Sequence, residues 1–277
     1  MGIIEMNSKH AAARDEPAGA DESAGVQSVE IGVKVLSALI ELGPSSMLKT
    51  IAEQAGMTPP KAHRYLASLG RSGLVDRNLQ TGGYRLGPLA VRLGLAALRH
   101  LNIIDVVTPL LAELRDEIGF TVGLAIWGSH GPTFVRFEET NDVVIISIRP
   151  GSVMPILTSS TGRVFGAFSP AALTNPLIRA ELRTARNSAA AGPRVKTRTE
   201  IDAMLDAVRQ RRMANAQGDL NVGIHALSAP IFDHLDSLVG VMSAMGGANQ
   251  FDASFEGKNA AALAEKVRLA SRQMGCP

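Results

Sequence analysis

Residues 56–69 read GMTPPKAHRYLASL. Whether this segment only packs, or also reads another molecule, decides how the whole chain is organised. Ala62, Tyr65, Leu66 and Leu69 fall at i, i+3, i+4 and i+7, the seam of an amphipathic helix. Lys61, Arg64, Ser68 and Arg71 fall on another stripe, flanked by His63 and Ala67. A buried seam with polar and cationic side chains turned away from it is what a helix needs to enter a DNA major groove. Arginine suits guanine best, because its planar fork presents two donors. Charged helix faces are more often simply solvated, so the neighbouring segments must decide.

Upstream, SVEIGVKVLSALIEL (28–42) places Val29, Val33, Leu36 and Ile40 on one stripe, broadened by Val35, Leu39 and Leu42. Ser28 is the expected N-cap and Gly43-Pro44 the stop. A second helix is expected from Leu48 to Ala55, closed by Gly56. Downstream, Leu74–Arg77 and Tyr84–Leu86 flank a loop containing Thr81-Gly82-Gly83, a short β-hairpin. Helix, helix, turn, helix, hairpin is the order of a winged helix-turn-helix. The adjacent prolines refine its third helix. A residue before proline is pushed out of the α region, so Pro59 is expected to be extended and Pro60 to open the helix. Two N–H groups that could hold a phosphate at that tip are absent, which passes the role to side chains, Lys61 first.

Charge agrees with this placement. Residues 28–100 carry nine basic and four acidic side chains, +5, whereas residues 1–27 come to −3 and residues 101–277 balance at 17 of each sign. A local basic excess is the footprint of a nucleic-acid partner. The chain's 277 residues, 45% apolar and 19% charged, suit a globular protein of one or two domains. Only 4% are aromatic, so the core is aliphatic. No apolar run reaches the roughly 18 residues of a membrane span, and residues 1–17 do not form a secretory signal. The single cysteine, Cys276, excludes an internal disulfide framework and a cysteine metal cluster. These features make the cytoplasm the expected location.

The rest of the chain changes texture. Residues 1–27, rich in Ala, Gly, Ser and acid, are expected to be a disordered tail. Helices are expected from Pro88 to about Arg99 and from Ile103 to Ile118, punctuated by Asn102 and Gly119. Strands follow at TVGLAIW (121–127), PTFVRFEE (132–139) and VVIISIRP (143–150). TSSTGRVFGAF (158–168) reads as a helix starting near Ser160 or Thr161. Residues 170–215 read as helical, interrupted by NSAAAGPRVKTR (187–198). IHALSAPIFD (224–233) and LVGVMSAMG (238–246) read as strands, and SFEGKNAAALAEKVRLASRQM (254–274) as a closing helix. The fold class is α+β with a mostly antiparallel sheet. Its expected divisions are a tail at 1–27, a DNA-binding domain at 28–87, a linker helix at 88–102 and a second domain at 103–277.

With AEQAGMTPPKAHRYLASL (52–69) as reading unit, GGYRLG (82–87) as wing, MPILTSSTGRVF (154–165) and VGIHALSAPIFD (222–233), the chain resembles the IclR family of bacterial transcriptional regulators over about residues 28–274. The resemblance implies a winged helix-turn-helix, a linker helix and a GAF-like effector-binding domain, working as a homodimer or tetramer. It implies double-stranded operator DNA and a small organic effector as partners, with no membrane, metal or cofactor. His63 and Arg64 match the family's recognition pair; Pro60 departs from it, standing where a small hydroxyl residue is common. With Lys61, Ser68 and the wing residues Arg77 and Arg85, these form the expected DNA-binding set. By the same resemblance the effector is lined by Ser159, Ser160, Thr161, Ala216, Ala226, Ser243 and Met245. Hydroxyls and free N–H groups at a helix start also suit a carboxylate, although simple N-capping explains any one of them. Ala216, Ala226 and Met245 stand where acid-binding members carry polar residues, which favours an aromatic or otherwise fairly apolar carboxylate.

An enzyme is not expected. The six histidines form no His-x-x-x-His pair, Gly-x-Ser-x-Gly is absent, and Glu138 and Glu139 point to opposite faces of a strand. The competing class is a ligand sensor or interaction scaffold whose basic domain no longer reads DNA. Retention of Lys61, Arg64, Arg77 and Arg85 favours the DNA reader.

Overall fold

The computed structural model describes residues 25–140, 148–187 and 197–276, and the chain divides into two compact units, residues 1–100 and 101–277. The first unit contains α1 (Gln27–Leu42), α2 (Leu48–Gln54), α3 (Pro59–Ser72), the hairpin β1 (Val75–Arg77) and β2 (Tyr84–Leu86), and α4 (Pro88–His100). Val35 and Leu39 of α1, Ile51 of α2, Leu66 of α3, Val75 and Tyr84 form its core. Gly73, in the left-handed region at φ 81°, ends α3 and turns the chain into the hairpin. The winged helix-turn-helix order is therefore present.

The tail, α1 and α3 each differ from the sequence reading. Of the expected tail, residues 1–24 lie outside the described residues, and Gln27 already belongs to α1. Ser28 lies inside α1, whose N-cap position is Val26 with no side-chain bond. The buried side of α1 carries Gly32, Val35, Ala38 and Leu39, while Val29, Val33 and Ile40 are more than half exposed. Gly32 faces α3: a Cβ there would stand 4.0 Å from Tyr65, ordinary van der Waals contact. A pattern of large apolar residues does not record that face. Thirdly, α3 begins at Pro59, with Thr58 extended before it. Helical geometry at Pro59 closes the Ala62 N–H to Thr58 carbonyl bond at 3.0 Å, a gain that outweighs the pre-proline preference.

The second unit begins with α5 (Ile103–Ile118), capped by Asn102 through the Ile104 N–H. It continues with β3 (Thr121–Gly128), β4 (Gly131–Glu138), α6 (Ser160–Phe168), α7 (Ala171–Asn187), α8 (Arg198–Arg211), β5 (Ala214–Gln217), β6 (Ile224–Phe232), β7 (Leu238–Gly247) and α9 (Lys258–Gln273). The five strands form one antiparallel sheet in the order β4-β3-β7-β6-β5. β5 corrects the last two residues of the helical reading, Ala214 and Asn215: Ala-Asn-Ala-Gln carries no strand signature, and pairing with β6 alone makes it a strand. Most of the strand expected at 143–150 lies outside the described residues, and residues 148–150 are not in a strand.

Helices cover both faces of the sheet. On one, Leu111 and Leu114 of α5 and Leu263 of α9 pack on Leu227, Ala229, Met242 and Ala244. On the other, Val164 and Phe165 of α6 and Ile201 and Leu205 of α8 pack on Val241 and Met245. Alternation along β7 thus sends Met242 and Ala244 one way and Val241, Ser243 and Met245 the other. The contact of α6 with the segment before it is unusually close. A Cβ on Gly162 would lie 1.9 Å from the Pro155 carbonyl oxygen and 2.6 Å from the Ile156 Cα. Gly162→Ala is expected to cost at least about 2 kcal/mol of stability, because backbone must move. Gly223→Ala, where a Cβ meets nothing within 4 Å, is expected to stay within about 0.5 kcal/mol. Urea unfolding of the two variants checks the contrast.

Candidate DNA-reading helix and ligand cavity

In the first unit, Ala62 and Leu66 are buried and fix α3, while Lys61, His63, Arg64 and Ser68 are exposed. Lys61, His63 and Arg64 make no side-chain hydrogen bond or ion pair among the described residues, so their donors are available to bases or phosphates. Ser68 is engaged within the helix: it donates to the Arg64 carbonyl at 3.2 Å and accepts from Arg71 at 3.1 Å. Of the three helical positions ahead of Ala62, only Lys61 has an N–H, because the other two are prolines. The tip of α3 is therefore poor in backbone donors.

The wing modifies the expectation for its arginines. The β1–β2 register sets Asp76 opposite Arg85, and Arg85 donates to Asp76 Oδ2 through Nε at 3.0 Å and Nη2 at 2.7 Å. Hydrogen bonding to that guanidinium holds the Asp76 carboxyl below its ordinary range. Arg85 is thus a neutralised cation in this structure. Arg77 lies 5.6 Å from the centre of the Tyr84 ring and donates to the Gly82 carbonyl at 3.5 Å, an arrangement that keeps its charge exposed at the hairpin.

In the second unit, six of the seven expected effector residues meet around one cavity of about 210 Å³: Ser159, Ser160, Thr161, Ala216, Ala226 and Met245. Ser243 does not line it. Its hydroxyl is wholly buried behind the wall, 2.9 Å from Thr161 Oγ1 and 2.8 Å from Ser228 Oγ. Ser160 Oγ also meets Ser228 Oγ at 2.8 Å. Ser228 and Ser243 are direct partners in the β6–β7 register, and the start of α6 sits over them. Four buried hydroxyls thereby satisfy one another, each able to donate and accept.

Ser159 is an N-cap: its Oγ accepts from Gly162 N–H at 2.8 Å and donates to the Pro155 carbonyl at 2.7 Å. The next two N–H groups, of Ser160 and Thr161, have no partner among the described residues and belong to the cavity wall. Helix-start donors of this kind, with the positive end of the helix dipole, favour an anion. No Lys, Arg or His lines the cavity.

Sequence reasoning missed Phe134, Ile148, Met154, Leu220, Asn221 and Ile224, which complete the lining. Leu220 and Asn221 lie on the β5–β6 loop, a segment to which the sequence assigns no element. Two further side chains hold the walls. Arg163 on α6 donates to the Leu157 carbonyl at 2.9 Å, to the Asn215 carbonyl and to Asp219 at 3.0 Å, which joins α6 to that loop. Glu181 on α7 accepts from the Ile156 N–H at 2.6 Å and the Leu157 N–H at 2.8 Å. Burial raises its carboxyl above the ordinary value despite those two bonds. Since the folded value lies above the unfolded one, this group favours folding less as pH rises through it.

A winged helix-turn-helix with an exposed cationic helix, carried in one chain with a unit that encloses a ligand-sized cavity, defines a DNA-binding transcriptional regulator. Comparison with known proteins agrees. Residues 28–79 match the IclR helix-turn-helix domain, and residues 95–275 match the bacterial transcriptional regulator IclR C-terminal domain. The crystal structure of Pseudomonas aeruginosa HmgR is similar, with 37% sequence identity and a TM-score of 0.84, over 91% of this chain and 99% of that one. The HTH-type transcriptional regulator BhcR of Paracoccus denitrificans is 27% identical over 218 residues, 78% of this chain and 75% of that protein. An IclR homologue from Microbacterium hydrocarbonoxydans, crystallised with 4-hydroxybenzoate, shares the fold at 17% identity and a TM-score of 0.52, over 90% of this chain and 99% of that one. The chain belongs to the IclR family, whose members are transcriptional regulators and not enzymes.

Proposed function

We propose that the chain binds operator DNA through Lys61, His63 and Arg64 of α3, with Arg77 on the wing, and that an aromatic carboxylate in the α6 cavity modulates that binding. The observation that carries the ligand class is the two-sided cavity. Hydroxyls and unpartnered N–H groups at the start of α6 form one wall, and the rest is apolar, Phe134, Ile148, Met154, Ile224, Ala226 and Met245 among it, apart from the Asn221 amide. A cavity of about 150 Å³ holds benzene, so 210 Å³ admits one substituted ring. The likeness to a homologue crystallised with 4-hydroxybenzoate supports the same class. Residues 28–87 are the DNA-binding domain, 88–102 the linker and 103–277 the effector domain. The exposed Val91, Leu95 and Leu98 of α4 suit a partner subunit, giving a homodimer or tetramer with paired reading heads. A regulator of this kind acts on DNA in the cytoplasm. No single helix among the described residues is long and apolar enough to cross a membrane.

Arg64→Ala is expected to reduce discrimination between operator and random DNA, whereas Lys61→Ala weakens both alike and lowers the salt slope by about one. Fluorescence anisotropy over a salt series checks this. Unchanged specificity in Arg64→Ala would show that α3 reads through another face. For the ligand, 4-hydroxybenzoate or benzoate at about 100 times its Kd should stabilise the chain by about 2.7 kcal/mol, with glyoxylate and pyruvate inactive. Thermal shifts produced by the keto acids alone would contradict the aromatic assignment.

A further inference from the structure

On the opposite face of the sheet lies a groove of about 320 Å³, between the end of α8, β6 and the last turns of α9. Its floor is apolar, formed by Met213, Ala229, Phe232 and Val267. Around that floor stand four arginines: Arg211, Arg212, Arg268 and Arg272. None is ion-paired or hydrogen-bonded to a carboxylate among the described residues, although Arg115, Arg136, Arg163, Arg198 and Arg209 in the same unit all are. Residues 101–277 carry equal numbers of basic and acidic side chains, so this is a local concentration of uncompensated charge.

Two of the guanidinium groups are held in place by rings. Arg211 lies 5.1 Å from the centre of Phe255, and Arg212 lies 5.1 Å from the centre of Phe232. Stacking fixes the plane of a guanidinium and leaves its N–H edge free for bidentate bonds to an oxyanion. Arg212 also ends α8 with φ 52°, a left-handed position where glycine or asparagine is usual. Arginines near helix C-termini gain from the helix dipole, but that gain requires neither an apolar floor nor convergence of two helices on it.

A further polar group opens onto the groove. Ser271, 8% exposed, accepts the Phe232 N–H at 3.1 Å. That leaves its own hydroxyl proton to donate, and no acceptor for it stands among the described residues. At the rim, Asp236 approaches Cys276 at 4.0 Å without pairing with any of the four arginines.

We propose that this groove is a second ligand site, for an organic dianion that joins an apolar body to two acidic groups. It differs in kind from the α6 cavity, which offers dipoles and no cation; here the donors are charged and the acidic groups stay partly hydrated at the rim. β6 is common to both sites. Ala229 faces the groove, and the adjacent Ser228 faces the hydroxyl cluster.

Methionine methyl NMR of the full chain separates the two sites, because Met213 lies in the groove and Met154 and Met245 in the cavity. With phthalate as the probe, Met213 should shift saturably. Arg268→Ala with Arg272→Ala should raise the Kd at least tenfold, and dimethyl phthalate, which is neutral, should leave Met213 unmoved in the unsubstituted protein. The ester arm holds even if the double variant folds poorly. The proposal is overturned if only Met154 and Met245 respond to phthalate, if Met213 responds equally to acid and ester, if its response survives the double substitution, or if nothing moves up to about 10 mM, where binding is too weak for a built site.

Discussion

The hydrogen-bonded quartet of Ser160, Thr161, Ser228 and Ser243 is the contact on which the α6 cavity depends. It fastens the first turn of α6 to the centre of the sheet, where β6 and β7 are covered on both faces. Four hydroxyls in an apolar interior are tolerable only because they satisfy one another. As the first positions of a helix, Ser160 and Thr161 have N–H groups without intrahelical partners, and both residues line the cavity. Gly162 makes the approach possible, since any side chain there would collide with the Pro155 carbonyl. Glu181 and Arg163 complete the frame from α7 and the β5–β6 loop. The cavity is thus bounded by backbone held at fixed points, and a ligand carboxylate would meet donors already in place.

The reading helix follows a related logic with the opposite chemistry. α3 begins with two prolines, so it lacks the N–H cluster that a helix tip normally offers a phosphate. Charge supplied by flexible side chains replaces it. The wing contributes less cation than its sequence suggests, because Asp76 neutralises Arg85 across the hairpin. Lys61, His63 and Arg64 stay exposed and unpaired among the described residues, three side chains within one turn of helix.

Much of this was legible in the sequence, and the failures have physical causes. The seam of GMTPPKAHRYLASL, the hairpin ends, Asn102 as a cap and the β6 and β7 strands all follow from local rules. The buried side of α1 did not follow, because the small Gly32 and Ala38 share it with Val35 and Leu39 while larger apolar residues stay exposed. β5 was invisible, since Ala-Asn-Ala-Gln takes strand form only by pairing with β6, and no motif marks Leu220 and Asn221 on the loop that follows. Pro59 entered the helix against its local preference because one backbone bond repaid it. Six of the seven residues expected at the cavity do line it. Ser243 stands one layer behind, a distinction set by strand alternation and by Ser228, which no motif marked.

The central claim is that occupancy of the α6 cavity changes operator affinity. The most direct measurement is operator binding with and without saturating 4-hydroxybenzoate, in the unsubstituted chain and in Ala226→Phe, which fills the cavity. The account predicts a change of about 5- to 150-fold in operator Kd for the unsubstituted chain and none for the variant. An equal change in both, or no change in the unsubstituted chain while the ligand is bound, would contradict it.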